Sequence, residues 1–174
     1  MGKIELFIYG AGGHGRVIKD IAVRNGYEIT FIDDGENDFL SFNEFLKKYK
    51  KSKIVIGIGD NKVRKEKIEI CEKLGYELAS IIDKSAIIGS NVKIEKGTVI
   101  MPHCVINNSA SIGKGVIINT GAIVEHDCIV KDFVHISPNV ALAGGVKVGK
   151  SSHIGIGSSV IEQIEIGDNV IVGA

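Results

Sequence analysis

Three of the five histidines in this 174-residue chain sit where a side chain could do chemistry. His126 lies between two acids in VEHDC, residues 124–128. An imidazole titrates near neutrality and is suited to take a proton from an attacking amine or hydroxyl. A carboxylate bonded to its far ring nitrogen would fix the tautomer and raise its basicity, and Glu125 and Asp127 both stand beside it. His135 and His153 are eighteen residues apart, a spacing whose meaning depends on the architecture. Near the start, FIYGAGGHGRVIKDI (7–21) sets Gly10, Gly12 and Gly15 at the spacing of a phosphate-binding turn, with Gly13 and His14 inside it. Backbone N–H groups at such a turn cradle phosphate, and NAD and nucleotide sugars use it alike.

The elements that carry this turn alternate. IELFIYG, EITFIDD and KIVIGIGD read as short strands. Between and after them lie three helices. The first, from His14 to Asn25, carries Val17, Ile18, Ile21 and Ala22 on one stripe and is closed by Gly26. The second starts at Ser41, with Glu44 completing a capping box. The third runs from Asn61 to Leu74. Strands alternating with helices predict a small parallel sheet covered by helices. Asp33 and Asp34 end the second strand, where an acid commonly meets ribose or base, and Gly59, Asp60 and Asn61 form the turn after the third. The space before residue 82 holds about one mononucleotide half of a dinucleotide fold. The turn therefore fits a nucleotide sugar such as a UDP-sugar, and NAD becomes the minor reading. His14 reads equally well as a ligand-facing group and as a helix-start residue.

From Ile82 onward the period changes to six. Every sixth residue from Ile88 to Val172 is aliphatic, fifteen positions without a slip. The companion column four residues on, which includes Cys104, Ala110, Ala122, Cys128 and Ser152, is small or β-branched throughout. This is a hexapeptide repeat. Each hexapeptide supplies a flat strand and a tight corner, and three make one triangular coil of eighteen residues. The large aliphatic points inward, the second inward residue must be small, and Gly, Asn and Asp supply the corners. Residues 82–174 make about five coils, and the chain stops at Ala174 partway through one, so further residues are expected beyond it. Cys104 and Cys128 are packing residues on this reading. His135 and His153 stack on one edge, a coil apart, about 4.8 Å.

Composition narrows the partners. Basic and acidic residues balance at 21 each, so no footprint for nucleic acid is evident, and the basic KKYKKSK stretch reads as a solvated helix end and loop. No apolar run reaches a membrane span and no signal-peptide pattern opens the chain. Three cysteines without metal spacing suit a reducing cytoplasm.

A glycine-headed α/β half followed by hexapeptide coils, with VEHDCIVKDFVHISPNVALAGGVKVG at 124–149, resembles the PglD/NeuD-type sugar acetyltransferases over essentially the whole chain. The resemblance implies an α/β nucleotide-sugar-binding domain over residues 1–80 and a left-handed parallel β-helix over 81–174. It further implies acetyl-CoA as cosubstrate, a homotrimer with each site between two subunits, and N-acetylation of a nucleotide-linked amino sugar, most simply a UDP-sugar, for bacterial surface glycans. His126 would be the general base with Asp127 its acid, His135 would lie near the thioester, and backbone at Gly144 and Ile156 would meet the CoA arm. The hexapeptide carbonic anhydrases hold zinc through three histidines, but their close histidine pair is missing, so no metal is expected. O-acetylation of a sugar such as a sialic acid, and a non-catalytic nucleotide-binding trimer, are the alternatives; the intact His126 with its acid neighbour speaks against the latter.

Overall fold

The computed structural model describes residues 4–174. The apolar run Ile4–Tyr9 forms β1, with its last four residues buried. Helix α1 (Gly13–Arg24) follows and buries Gly15, Ile18, Ile21 and Ala22, the stripe that its 3.6-residue period dictates. Strand β2 (Tyr27–Ile32) leads to α2 (Phe42–Lys48), which opens with the capping box predicted at Ser41. The Ser41 hydroxyl accepts from Glu44 N at 3.3 Å and the Glu44 carboxylate accepts from Ser41 N at 3.0 Å. Strand β3 (Lys53–Ile56), helix α3 (Asn61–Lys73) and the short β4 (Glu77–Leu78) complete a parallel sheet of order β2-β1-β3-β4. Asp60 caps α3, its carboxylate accepting from Val63 N at 2.8 Å.

From Ile81 the chain winds into two-residue strands arranged as three parallel sheets, each strand pairing with the one eighteen residues on, as in Ile117↔His135↔His153. The six-residue column fills the interior: Ile100, Ile106, Ile112, Ile118 and Val124 are fully buried, and so are the small companions Cys104, Ala110, Ala122 and Cys128. The Cys104 and Cys128 thiols donate to the carbonyls of Asn119 and Ala143 at 3.1 and 3.2 Å, and burial pushes both thiols above their usual range, as packing residues require.

After the first corner, at residues 83–86, each corner carries one left-handed residue per coil. One corner repeats Asn91, Ser109, Asp127, Gly145 and Gln163, all with φ between 59° and 70°. Another repeats Gly97, Gly115, Phe133, Ser151 and Asn169. Phe133 and Gln163 were not legible as corner residues, because a left-handed non-glycine costs about 1–2 kcal/mol and the stacked hydrogen-bond ladder overrides that preference.

The three faces differ. The six-stranded face (outward residues Ile81, Val99, Ile117, His135, His153, Ile171) is covered by the α/β half except at its C-terminal end, where Ile171 stays 82% exposed; Leu6, Ile8, Ile18, Ile21 and Val55 share one apolar cluster with Ile81 and Val99. A second face turns Ile87, Val105, Ile123, Ala141 and Ser159 outward, and Ile87 stays 63% exposed. The third is largely polar, with Lys93, Ser111, Ile129, Lys147 and Glu165 outward. Ion pairs pin the α/β half at its rim: Arg24 to Asp83 at 2.5 Å, and Glu72 to Lys96 and Lys114 at 2.6 and 2.8 Å. Burial pushes the Asp83 carboxyl up, but hydrogen bonds from Ser85 and Arg24 outweigh it and hold it down at about 2.

Candidate active site

The glycine turn closes on itself. Gly10 sits at φ +111° with its N–H donating to Ile32 O at 2.7 Å. A Cβ on Gly15 would stand 1.9 Å from Gly10 O, so only glycine permits the crossing of turn and helix there. Gly12 is different. It is the N-cap of α1, with ordinary φ, no side-chain cap, and nothing within 4 Å of a built Cβ. Protein packing does not demand a glycine at that position; close approach of a ligand to the unsatisfied N–H groups of the first helical turn would.

A cavity of about 530 Å³ opens over this turn, lined by Tyr9, Gly10, Gly12, Gly13, His14, Asp33, Asp34, Gly57, Gly59 and Lys67 among others. The two acids differ in role. Asp33 is spent on its own loop, accepting from Ala11 N at 2.8 Å, Gly35 N at 2.9 Å and the Asn37 amide at 2.9 Å, and these bonds hold it below the usual carboxylate range. Asp34 accepts from the Tyr9 hydroxyl and from Phe42 N, with Lys67 at 3.6 Å; burial pushes its carboxyl up and these partners more than reverse it. Lys67 also donates to the Tyr9 hydroxyl at 2.6 Å. Tyr9 and Lys67 escaped the sequence reading, although Lys67 follows Asp60 and Arg64 at helical spacing on one side of α3.

Across Gly59 a second cavity of about 380 Å³ is lined by Asp60, Asn61, Lys62, His135, His153 and Ile171. Asp60 itself caps α3, and Asn61 turns to the coils, donating to Ser151 O and Ser152 O at 3.0 and 3.1 Å. The imidazoles of His135 and His153 stack with centroids 4.6 Å apart and planes 13° off parallel, as the eighteen-residue spacing predicts. The Asn119 amide bonds His135 Nε2 at 3.0 Å, and Ser137 Oγ bonds His153 Nε2 at 2.8 Å. His14 brings its ring to 6.4 Å from His135, joining the helix start to the coils. Among the described residues, His14 Nε2 and His135 Nδ1 are both buried without a hydrogen-bond partner. Burial, then the charges of His153, Arg64 and His14, push His135 down to about 3; burial and Arg64 take His14 to about 4. Burial lowers His153 too, so this row is a set of neutral imidazoles at physiological pH.

His126 stands elsewhere, at the corner between the apolar and polar faces, with its side chain 61% exposed. Asp127 occupies the left-handed corner position, φ 60°, and its carboxylate meets His126 Nδ1 at 2.9 Å. Glu125 bonds only the backbone N–H of His126, at 3.2 Å. The Asp127 bond raises the His126 pKa above its ordinary value. With Nδ1–H donating to Asp127, Nε2 carries the free lone pair. The ring lies over Gly144, one coil on: a Cβ there would come within 2.7 Å of Cε1 and Nε2. Ile156 is 58% exposed, two residues past Ile154 at the corner between the covered and apolar faces. Among the described residues, no cluster of metal-ligating side chains occurs.

The sequence model of the PglD N-terminal domain matches residues 5–71. Nearly the full length of the chain superposes on solved structures. The acetyltransferase domain of PglB from Neisseria gonorrhoeae FA1090 is 34% identical, with 98% of this chain and 88% of that chain covered and a TM-score of 0.91. A mutant of perosamine N-acetyltransferase from Caulobacter crescentus, solved with CoA and GDP-perosamine, is 30% identical over 98% and 86% of the two chains, at a TM-score of 0.93. The chain belongs to the PglD/NeuD-type sugar acetyltransferases. It is an acetyltransferase whose fold is an α/β region followed by a left-handed parallel β-helix. WeeI from Acinetobacter baumannii AYE, 22% identical with 98% and 97% coverage and a TM-score of 0.80, shares that fold.

Within one chain the two candidate constellations stay apart. His14, His135 and the glycine turn gather under the covered face, whereas His126, Asp127 and Gly144 lie across the polar face, and none of these three lines either cavity.

Proposed function

We propose that this chain transfers the acetyl group of acetyl-CoA to the amine of a sugar carried on a nucleoside diphosphate, with His126 as general base. The observation that carries the reading is the His126 ring, tied through Nδ1 to Asp127 with Nε2 free above a side-chain-less Gly144. Acetyl-CoA supplies an activated acyl carbon and a thiol leaving group. His126 Nε2 accepts the proton that the sugar amine sheds as its N–C bond forms, and can return one to the departing sulfur. Gly144, without a side chain, lets the His126 ring lie against it, and the exposed Ile156 and the imidazole of His135 are the groups that would meet the rest of the cosubstrate. The pyrophosphate would lie on the first turn of α1, with Gly12 permitting close approach and Asp34 and Lys67 facing the nucleoside.

The site requires a neighbouring copy, because one chain holds its nucleotide cavity and its His126 on opposite sides of the polar face. The apolar column Ile87, Val105 and Ile123 is the proposed contact, and a closed ring of three satisfies it. A cytoplasmic location follows from the acetyl donor.

The test is transfer from acetyl-CoA to a panel of UDP- and GDP-linked amino sugars, with free amino sugars as controls. Acetylation of a nucleotide-linked amine that is lost in His126→Ala supports the reading. Absence of transfer to every member, or undiminished transfer by the variant, would overturn it.

A further inference from the structure

At the corner between the polar and covered faces, Gly115, Phe133 and Ser151 stand eighteen residues apart in the left-handed conformation. Their neighbours' carbonyls are used by the coil ladder: Val134 O accepts from Ile117 N, and Ser152 O from His135 N. Among the described residues, the ladder offers no N–H to the carbonyls of Gly115, Phe133 and Ser151 themselves. At an open corner water would serve them, but this corner lies beneath α3.

Two residues of α3 supply what the ladder does not. Arg64, 1% exposed, donates from Nε to Gly115 O at 2.8 Å and from Nη2 to Phe133 O at 2.9 Å. Its Nη1 donates to Gly59 O at 2.8 Å and Ile58 O at 3.3 Å, and Nη2 also donates to Asn61 Oδ1 at 2.7 Å. Asn61 passes the clamp to the next coil through Ser151 O and Ser152 O. One side-chain pair thus grips three successive coils and the Gly57–Gly59 turn at once.

Among the described residues, no carboxylate bonds this guanidinium. Asp60, the acid nearest in effect, is occupied capping α3. A buried cation bonded only to neutral oxygens is costly, and an apolar side chain would fill the space at lower desolvation cost. The groups facing the imidazole row are His14 from α1, His153 from the next coil, Lys62 and Asp60 at the cavity mouth, and Arg64 itself.

We propose that Arg64, with Asn61, is a positioning residue: it fixes the Gly57–Gly59 turn at one height over His135, whose preceding carbonyl at Val134 accepts from Arg64 Nη2 at 3.4 Å, and holds the His14–His135–His153 row beside a guanidinium that no carboxylate bonds. This rests on the acetyltransferase reading for the chemistry being positioned, though not for the field. Burial and Arg64 keep His14 neutral, and burial, His153 and then Arg64 keep His135 neutral, as hydrogen-bonding groups rather than competing bases.

The test uses the full chain with labelled histidine side chains, titrated by NMR, alongside steady-state kinetics and calorimetry with a nucleoside diphosphate. In Arg64→Met, the His14 or His135 titration should move up by about one pH unit or more, a tenfold change in proton affinity. Its kcat should fall about 10-fold or more from misplacement, while the nucleoside diphosphate Kd stays within about threefold. Arg64→Lys should restore the titration but not kcat, since it returns the charge without the fork. Asn61→Ala, a milder change should Arg64→Met fail to fold, should lower kcat and leave the titration in place. A folded Arg64→Met with unchanged titration and kcat and only a lower Tm would overturn the proposal, as would an unaffected kcat in Asn61→Ala. If the wild type acetylates nothing, the histidine titration still decides the field, and the acetyltransferase reading alone fails.

Discussion

His126 and His135 are the same residue type whose proton affinities are shifted in opposite directions by their surroundings. His126 is exposed and bonded to Asp127, so its pKa rises and its free Nε2 becomes a better base. His135 is buried beside His153, Arg64 and His14 and is driven to about 3, so it stays neutral. Activity that requires unprotonated His126 should therefore fall on acidification with a limb above the ordinary imidazole value. In Asp127→Asn the hydrogen bond to a charged acceptor is lost, the His126 pKa drops, and the acidic limb of kcat/KM should move to lower pH while kcat decreases. His126→Ala should lower kcat by about 100-fold or more with nucleotide binding intact, the usual worth of a general base. The choice of Asp127 over Glu125 was not legible from the residues alone. It follows from the left-handed corner at Asp127, which turns the carboxylate back onto the ring.

At the scale of elements, the repeat was the most legible feature, because fifteen aliphatics recurring every six residues have no other way to line one interior in register. The capping box at Ser41 and the His135–His153 stack were legible for the same reason, each being a local spacing rule. The glycine turn was legible as a motif but not in its division of labour. Gly15 answers to a contact with Gly10 O, and Gly12 to nothing in the protein. Gly12→Val should thus keep the wild-type Tm and lose nucleoside diphosphate binding in calorimetry, whereas Gly15→Ala should lower the Tm itself. Arg64, Asn61 and Lys67 were illegible in these roles, since their partners lie in another element or across the half-to-half boundary and no local pattern marks them.

For the whole molecule, the neutral imidazoles make stability depend on pH. His14 and His135 bind protons at 6.5 when unfolded but only at about 4 and 3 when folded. Below 6.5 the unfolded chain holds more protons, so stability is full above that value and declines as pH falls toward 4. Differential scanning calorimetry between pH 7.5 and 4.5 should show the Tm falling, and a His135→Gln variant should show a shallower fall. The exposed Ile87–Val105–Ile123 column should be where copies meet, so Ile123→Asp should shift the mass measured by light scattering from a trimer toward a monomer. The central claim is that His126 of one copy serves the nucleotide cavity of another. Co-refolding equal amounts of His126→Ala and Gly12→Val chains, each inactive alone, tests it most directly. Random trimers would place an intact cavity against an intact His126 in about a quarter of the sites, so acetyl transfer should return to about a quarter of wild type. A mixture that remains as inactive as its parents would contradict the account.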